Sequence, residues 1–160
     1  MYHPVVDKIK SILNANKLWY ESFEHAPVKT SIEAAQVRTG YTLAQGAKAL
    51  IVRVKKNGEK YFVMLVLPGD KRFDKDRAKK VLESNDIRFA TEGEIGTITD
   101  GVKIGGIPPF GNLFNLKVFA DPSVLRNEKI IFNAGDRGFS IAMKAHDYEN
   151  LVDPVISEII

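Results

Sequence analysis

The stretch that most constrains this chain is a pair of apolar runs meeting at Asn57-Gly58. Lys48 to Val54 (KALIVRV) and Lys60 to Leu67 (KYFVMLVL) flank Lys55-Lys56-Asn57-Gly58. An Asn-Gly pair admits positive φ at both central residues of a tight turn, and that turn twists in the sense that paired strands require. The segment therefore predicts an antiparallel hairpin, ended by Pro68-Gly69-Asp70.

The rest of the chain reads as helices and further strands. Pro4 suits the first turn of a helix, and Val5, Ile9, Ile12 and Leu13 follow at helical spacing, so a helix should fade near Asn14 to Lys17. Leu18 to His25 reads as a strand. Thr30-Ser31-Ile32-Glu33 fits a capping box opening a helix through Ala34, Ala35 and Val37 that stops near Gly40, and Thr42 to Gln45 repeats the pattern as a short turn. Asp74 can cap a helix carrying Ala78, Val81 and Leu82. Ile87 to Ala90, Leu116 to Ala120, Lys129 to Asn133 and Phe139 to Met143 read as strands, with helical turns at Thr91 to Glu94 and Asp121 to Leu125. His146 to Ile160 is expected to close the chain as an amphipathic helix, with Pro154 a point of interruption. No repeat, linker or low-complexity tract divides the chain, so a single mixed α/β domain over residues 1–160 is the expectation.

Composition narrows the chemistry. Cysteine is absent, which excludes disulfides, a thiolate nucleophile and Cys-type zinc sites. The longest uncharged apolar runs are far short of the ~20 residues that span a bilayer, and Met1 to Lys10 lacks the regions of a signal peptide. No membrane association and a cytoplasmic location are expected. There is no G-x-S-x-G, H-E-x-x-H or Walker A motif, and the residue after Lys48 is Ala49, which cannot bind magnesium as Ser or Thr would. His3, His25 and His146 lack ligand spacing, and Asp70, Asp74 and Asp76 sit among basic neighbours. Neither a metal nor another cofactor is expected.

The net charge of +3 is unevenly placed. Lys48 to Lys80 holds 11 basic and 4 acidic residues, a balance of +7, leaving −4 for the other 127 positions. Lys71, Arg72, Lys75, Arg77, Lys79 and Lys80 crowd its end. The cluster fits a solvated helix face, because Asp70, Asp74 and Asp76 are interleaved, and it fits a phosphate-contacting patch.

Three features offer chemistry. Lys48 opens an otherwise apolar strand, either as a snorkelling lysine or as a cation holding a phosphate or carboxyl group near a rigid sheet. Gly101 to Gly111 (GVKIGGIPPFG) carries four glycines and two prolines in eleven residues, so it must be a shaped loop. Its backbone N–H groups can stabilise a developing oxyanion, or the loop is a structural connection. Asn133-Ala134-Gly135 follows an apolar strand as a pocket wall or a turn.

Taken in order, these motifs resemble the YbaK-type aminoacyl-tRNA editing domains, which are also inserted in bacterial prolyl-tRNA synthetases. His25-Ala26-Pro27, Thr30-Ser31 with Glu33-Ala34-Ala35, and Ala47-Lys48-Ala49-Leu50 match the front half. Pro68-Gly69-Asp70 with Arg72 and Asp74, Gly105-Gly106-Ile107-Pro108-Pro109-Phe110-Gly111, and Asn133-Ala134-Gly135 match the rest, so the likeness runs from about Phe23 to Asp147. The resemblance implies a mixed α/β fold around a curved, largely antiparallel sheet flanked by helices. It implies hydrolysis of the ester that joins a wrong amino acid to the 3′-terminal adenosine of a tRNA.

By the same resemblance, Lys48 engages the terminal nucleotide, and Gly105 and Gly106 contact the aminoacyl carbonyl. His25, Thr30, Ser31, Ile107, Pro108, Phe110, Asn133, Ala134, Gly135 and Ser140 belong to the amino-acid site, and Lys71, Arg72, Lys75 and Lys79 meet the tRNA backbone. An aminoacyl ester is already activated, so a positioned water, backbone donors and the substrate's ribose hydroxyl suffice. Asn133 and Ala134 replace the Ser and Gly of cysteine-clearing members, and Ser140 stands where those carry an acidic residue. The implied substrates are therefore alanine or cysteine on proline tRNA or another small residue, with cysteine the weaker choice.

At 160 residues the chain has no room for a synthetase module and is expected to act free-standing. Its implied partners are the acceptor end of a tRNA and, secondarily, a synthetase. The alternatives are a non-catalytic tRNA-binding or synthetase-associated module of the same fold, and an unrelated small-ligand-binding α/β protein.

Overall fold

The computed structural model describes residues 1–27 and 30–160, the Ser31 side chain excepted. Along the chain run α1 (Pro4–Ala15), β1 (Tyr20–Glu24), α2 (Ser31–Val37), β2 (Ala47–Lys56), β3 (Glu59–Pro68), α3 (Lys75–Val81), β4 (Asp86–Phe89) and α4 (Glu92–Thr99). There follow β5 (Val118–Ala120), α5 (Pro122–Leu125), β6 (Lys129–Asp136), β7 (Phe139–Lys144), α6 (Ala145–Val152) and β8 (Val155–Ile156). Single 3₁₀ turns at Leu43–Gln45 and Gly111–Phe114 complete the set.

The hairpin forms as its turn demands. Asn57 and Gly58 take φ of 51° and 80°, and β2 pairs β3 without a break from Ala47↔Pro68 to Lys56↔Glu59. The period of two sends alternate residues of both strands to opposite faces. Ile51, Met64 and Val66 enter one buried cluster with α1, β6 and β7, while Val52, Leu65 and Leu67 enter another with Ala78 and Leu82 around α3. Burial on both faces explains the unbroken apolar run of β3.

Two sheets replace the single curved sheet that was expected. One has the order β4-β2-β3-β5-β8 and the other β1-β7-β6, with an isolated bridge between Gly46 and Ile131. The β3–β5 and β5–β8 pairs are parallel and the remaining pairs antiparallel. The closing helix is also shorter than its periodicity predicts. It ends at Val152, Asp153 turns left-handed at φ 50°, and Pro154 forbids continuation. Val155 and Ile156 then extend the open edge of β5, and the Asp121 carboxylate accepts the Ile159 N–H at 3.0 Å. Thr91 opens the eight-residue helix α4 through a full capping box, more than the single turn expected. Among the described residues no helix is long and apolar enough to cross a membrane.

One mismatch of strand lengths positions the site. β4 pairs with β2 only between Val52 and Lys55, so Ala47 to Ile51 run on past it as an edge β4 does not cover.

Candidate active site

A cavity of about 360 Å³ lies along that uncovered edge. Its walls come from α2 and the residue that caps its end (Ala34, Arg38), the first half of β2 (Lys48 among it), Phe89 and Ile95 on one lip, the loop residues Ile104, Gly105 and Ile107, and Phe132 with Asn133 on β6. Among the described residues Lys48 and Arg38 are the charged side chains on the wall, both cationic.

The loop holds its shape without regular hydrogen bonding because side chains take up its carbonyls. Arg137 Nε donates to the carbonyl oxygen of Ile104, Asn133 Nδ2 to that of Gly105 at 2.6 Å, and the Tyr148 hydroxyl to that of Pro109 at 2.6 Å. Gly105 sits at φ 89°, a conformation natural to glycine. Burial raises the Tyr148 phenol far above its usual range, so it remains a donor.

From the wall residues Arg38 and Asn133 a polar cluster runs inward. Arg38, 7% exposed, donates from Nη2 to Asn133 Oδ1 at 2.9 Å and from Nε to Ser140 Oγ at 3.0 Å. His25 Nε2 lies 2.8 Å from the same Ser140 oxygen. Burial lowers the Arg38 guanidinium to about 10, so it is still a cation at neutral pH, and no carboxylate forms an ion pair with it among the described residues. Its hydrogen bond to Oδ1 fixes the Asn133 amide so that Nδ2 faces Gly105.

Lys48 faces Leu67 across the hairpin. Burial first, then the neighbouring Arg72, hold its ammonium below the ordinary lysine range, with Asp70 pulling the other way. Arg72 therefore connects this lysine to the basic segment.

Of the residues expected from sequence, Lys48, Gly105, Ile107, Asn133 and Thr30 meet at the cavity. The Thr30 hydroxyl also caps α2 by accepting from the Glu33 N–H at 3.1 Å. Ser31's side chain lies outside the described residues. His25 and Ser140 stand one layer behind, in contact with Arg38 and Asn133 rather than on the wall.

The remaining expected residues are off the wall, for identifiable reasons. Gly106 backs onto Asp136 and Arg137, where an added Cβ would come within 3.3 Å of backbone, and its N–H is already given to the Lys103 carbonyl at 2.9 Å. Phe110 is fully buried against Phe132 and Tyr148. Pro108 is buried away from the cavity. Ala134 and Gly135 form a bulge, because the β6–β7 register skips from Asn133↔Ser140 to Asp136↔Phe139. Gly135, at φ 116°, abuts Val5 of α1 so closely that any Cβ would collide. In the basic segment, Lys71 and Arg72 are exposed without an ion pair among the described residues. Lys75 is engaged with Asp86 at 3.4 Å, and Lys79 is half-buried on α3.

Arg38, Phe89, Ile95 and Ile104 were not singled out from sequence. Arg38 reads as a solvated charge at a helix end before Gly40, and its partners lie 95 and 102 positions away.

This frame is shared with a solved structure described as a candidate trans-editing enzyme for prolyl tRNA synthetase. The two superpose with a TM-score of 0.79 over 99% of this chain and 98% of the other, at 21% identity. The fold is thus that of the editing domains. The aminoacyl-tRNA editing domain model matches residues 25–151, and the chain belongs to that family, as an aminoacyl-tRNA deacylase. The multifunctional Ser/Thr-tRNA deacylase ProXp-y of Escherichia coli K12 is 35% identical over 123 residues, covering 76% of this chain and 73% of its own length. The proline–tRNA ligase of Ralstonia nicotianae is 31% identical over 116 residues, which are 72% of this chain and 20% of the ligase.

Proposed function

We propose that the cavity receives the 3′-terminal aminoacyl adenosine of a mischarged tRNA, and that the chain acts in trans on small residues, serine and threonine ahead of alanine and cysteine. The observation that carries this reading is the convergence of Lys48, Gly105 and Asn133, from three distant segments, on one cavity whose charged walls are cationic. Such a wall suits an RNA end and a carbonyl oxygen that gains negative charge during ester hydrolysis. The likeness to a Ser/Thr-tRNA deacylase favours the hydroxylated residues, and the likeness to proline–tRNA ligases favours proline tRNA within the substrate set.

The loop geometry suggests which donor meets the oxyanion. A trans peptide points its C=O and N–H in opposite directions. Arg137 takes up the Ile104 carbonyl, so the N–H of the same peptide, that of Gly105, points away from Arg137, and because Gly105 lines the cavity this N–H is the donor we assign to the oxyanion. Gly106 supports the loop instead. Lys48 anchors the terminal nucleotide through its phosphate or ribose oxygens. A water held near the ester attacks the carbonyl carbon, the acyl–oxygen bond to the ribose breaks, and the neighbouring ribose hydroxyl relays the water's proton to the departing ribose oxygen. A second sieve of this kind is needed because apolar pockets separate near-isosteres by only ~1–3 kcal/mol.

A panel of tRNAs charged with Ser, Thr, Ala and Cys tests the reading, proline tRNA among them. Faster loss of Ser and Thr esters than in buffer is expected, and Lys48→Ala should lower kcat/KM about 100-fold with its circular dichroism unchanged. If no charge in the panel is shortened by the wild-type protein, the reading fails.

A further inference from the structure

Phe89 ends β4 on the lip of the cavity with 59% of its surface exposed. A lone exposed apolar residue is ordinary, but three further observations distinguish this one. Phe73 meets its ring edge-on, with centroids 5.4 Å apart and planes at 84°, so the ring is braced in place. Ile104, 44% exposed, supplies a second apolar lip to the same cavity from a different segment. Cations lie close by: Lys71 and Arg72 immediately precede Phe73, and neither has an ion pair among the described residues.

Strand register relates the ring to Lys48. Phe89 is paired with Val52, and Lys48 lies on the same sheet face as Val52, four residues earlier and so about 13 Å along the strand. Lys48, the half-buried Leu50 and the exposed ring of Phe89 therefore share one face of the sheet and all three line the cavity, with the buried Val52 beneath the ring's strand position. Alternating cations and stacking rings is the arrangement by which proteins hold unpaired nucleic acid, because every base has a π-face and every nucleotide a phosphate. A protein partner would be a less suitable occupant of an apolar lip flanked by cations that form no ion pair among the described residues.

We infer that Phe89, braced by Phe73, is a stacking shelf for an unpaired base at the 3′ end of an RNA, held at the mouth of the cavity while Lys48 takes the backbone or sugar. The inference rests on the function proposed above and names a binding residue for it.

The test is an RNA hairpin with an acceptor-like stem, an unpaired 3′ tail and 2-aminopurine as its last base, whose fluorescence falls when the base stacks. Wild-type protein should quench it, Phe89→Trp and Phe89→Tyr should preserve the quench, and Phe89→Ala and Phe89→Leu should abolish it and raise Kd about tenfold. Thermal melts confirm that each variant is folded, and Phe89→Leu guards against a loss of bulk alone. Equal quenching by Phe89→Leu and Phe89→Trp, or an unchanged Kd throughout, overturns the shelf. So does an equal response when 2-aminopurine sits inside the paired stem. Failure of the charged-tRNA panel overturns the underlying function instead, since the fluorescence assay involves no ester.

Discussion

The side-chain amide of Asn133 donates to the carbonyl oxygen of Gly105 at 2.6 Å, while the N–H of that same peptide unit, on Gly106, donates to Lys103 at 2.9 Å. Both ends of one peptide plane are therefore fixed, and the preceding plane, which carries the Gly105 N–H, is held at its Ile104 carbonyl by Arg137. Asn133 thus serves the cavity as a clamp on the loop more than as a surface for the amino acid.

Asn133→Asp separates clamping from packing. The carboxylate keeps an acceptor for Arg38 but has no donor for Gly105, and it repels that carbonyl. Deacylation kcat should fall about 100-fold, the cost expected when a catalytic group shifts by about 1 Å. The thermal midpoint should hold or rise, because Arg38 gains a counter-charge. A variant with wild-type kcat would mean that the loop keeps its shape unaided.

Arg38 supports the same clamp from behind. Arg38→Met removes both donors and leaves Asn133 Oδ1 and Ser140 short of partners, which should lower stability by about 1–3 kcal/mol in urea unfolding. Arg38→Lys keeps the charge but lacks the rigid fork that reaches Ser140 and Asn133 together. It should recover part of the stability and little of the kcat. Full recovery of kcat by lysine would show that charge, not geometry, is what the cluster supplies.

These residues show where the sequence was legible and where it was not. The hairpin could be read because Asn57-Gly58 is a local signal, complete within a few residues. Lys48, Gly105 and Asn133 could be picked out because each is anomalous beside its neighbours: a cation opening an apolar strand, a glycine in a proline-stiffened loop, a polar residue ending an apolar run. Phe110, Ala134 and Gly135 belong to the same motifs yet serve packing, since a motif records that a segment is special and not which way each side chain points. Arg38 was missed because its burial is created by β6 and β7, far along the chain. The last helix is shorter than its amphipathic spacing predicts because that spacing says nothing of the open edge on β5 that Val155 and Ile156 take up.

The basic segment should not act as a uniform patch. Lys71 and Arg72 are free to meet phosphates, whereas Lys75 must first leave Asp86. Alanine at either free position should reduce the slope of log K against log salt for uncharged tRNA by about one. Lys75→Ala should change that slope by less than half as much. Equal effects at the three positions would mean that the acceptor stem approaches along α3 instead of across the Lys71-Arg72 corner.

The lip that carries Phe89 is held to α4 by a pair with a marked pH signature. Arg88 Nη1 and Nη2 meet the two Glu94 oxygens at 2.8 and 3.1 Å, and Glu94 also accepts the Thr91 N–H at 2.8 Å. Chiefly the Arg88 hydrogen bonds, then the Thr91 N–H, hold the Glu94 carboxyl down at about 2 against an ordinary 4.5. A carboxyl whose folded pKa is depressed stabilises the fold fully above its unfolded value and loses that contribution as pH falls toward the folded one. Wild-type thermal stability should therefore decline between pH 4.5 and about 2. Glu94→Gln, which cannot ionise, should melt lower at neutral pH and lose less on acidification, so that the two melting curves converge at the acid end. Curves that stay parallel across the window would show that the pair contributes nothing to holding β4 and α4 at the mouth of the cavity.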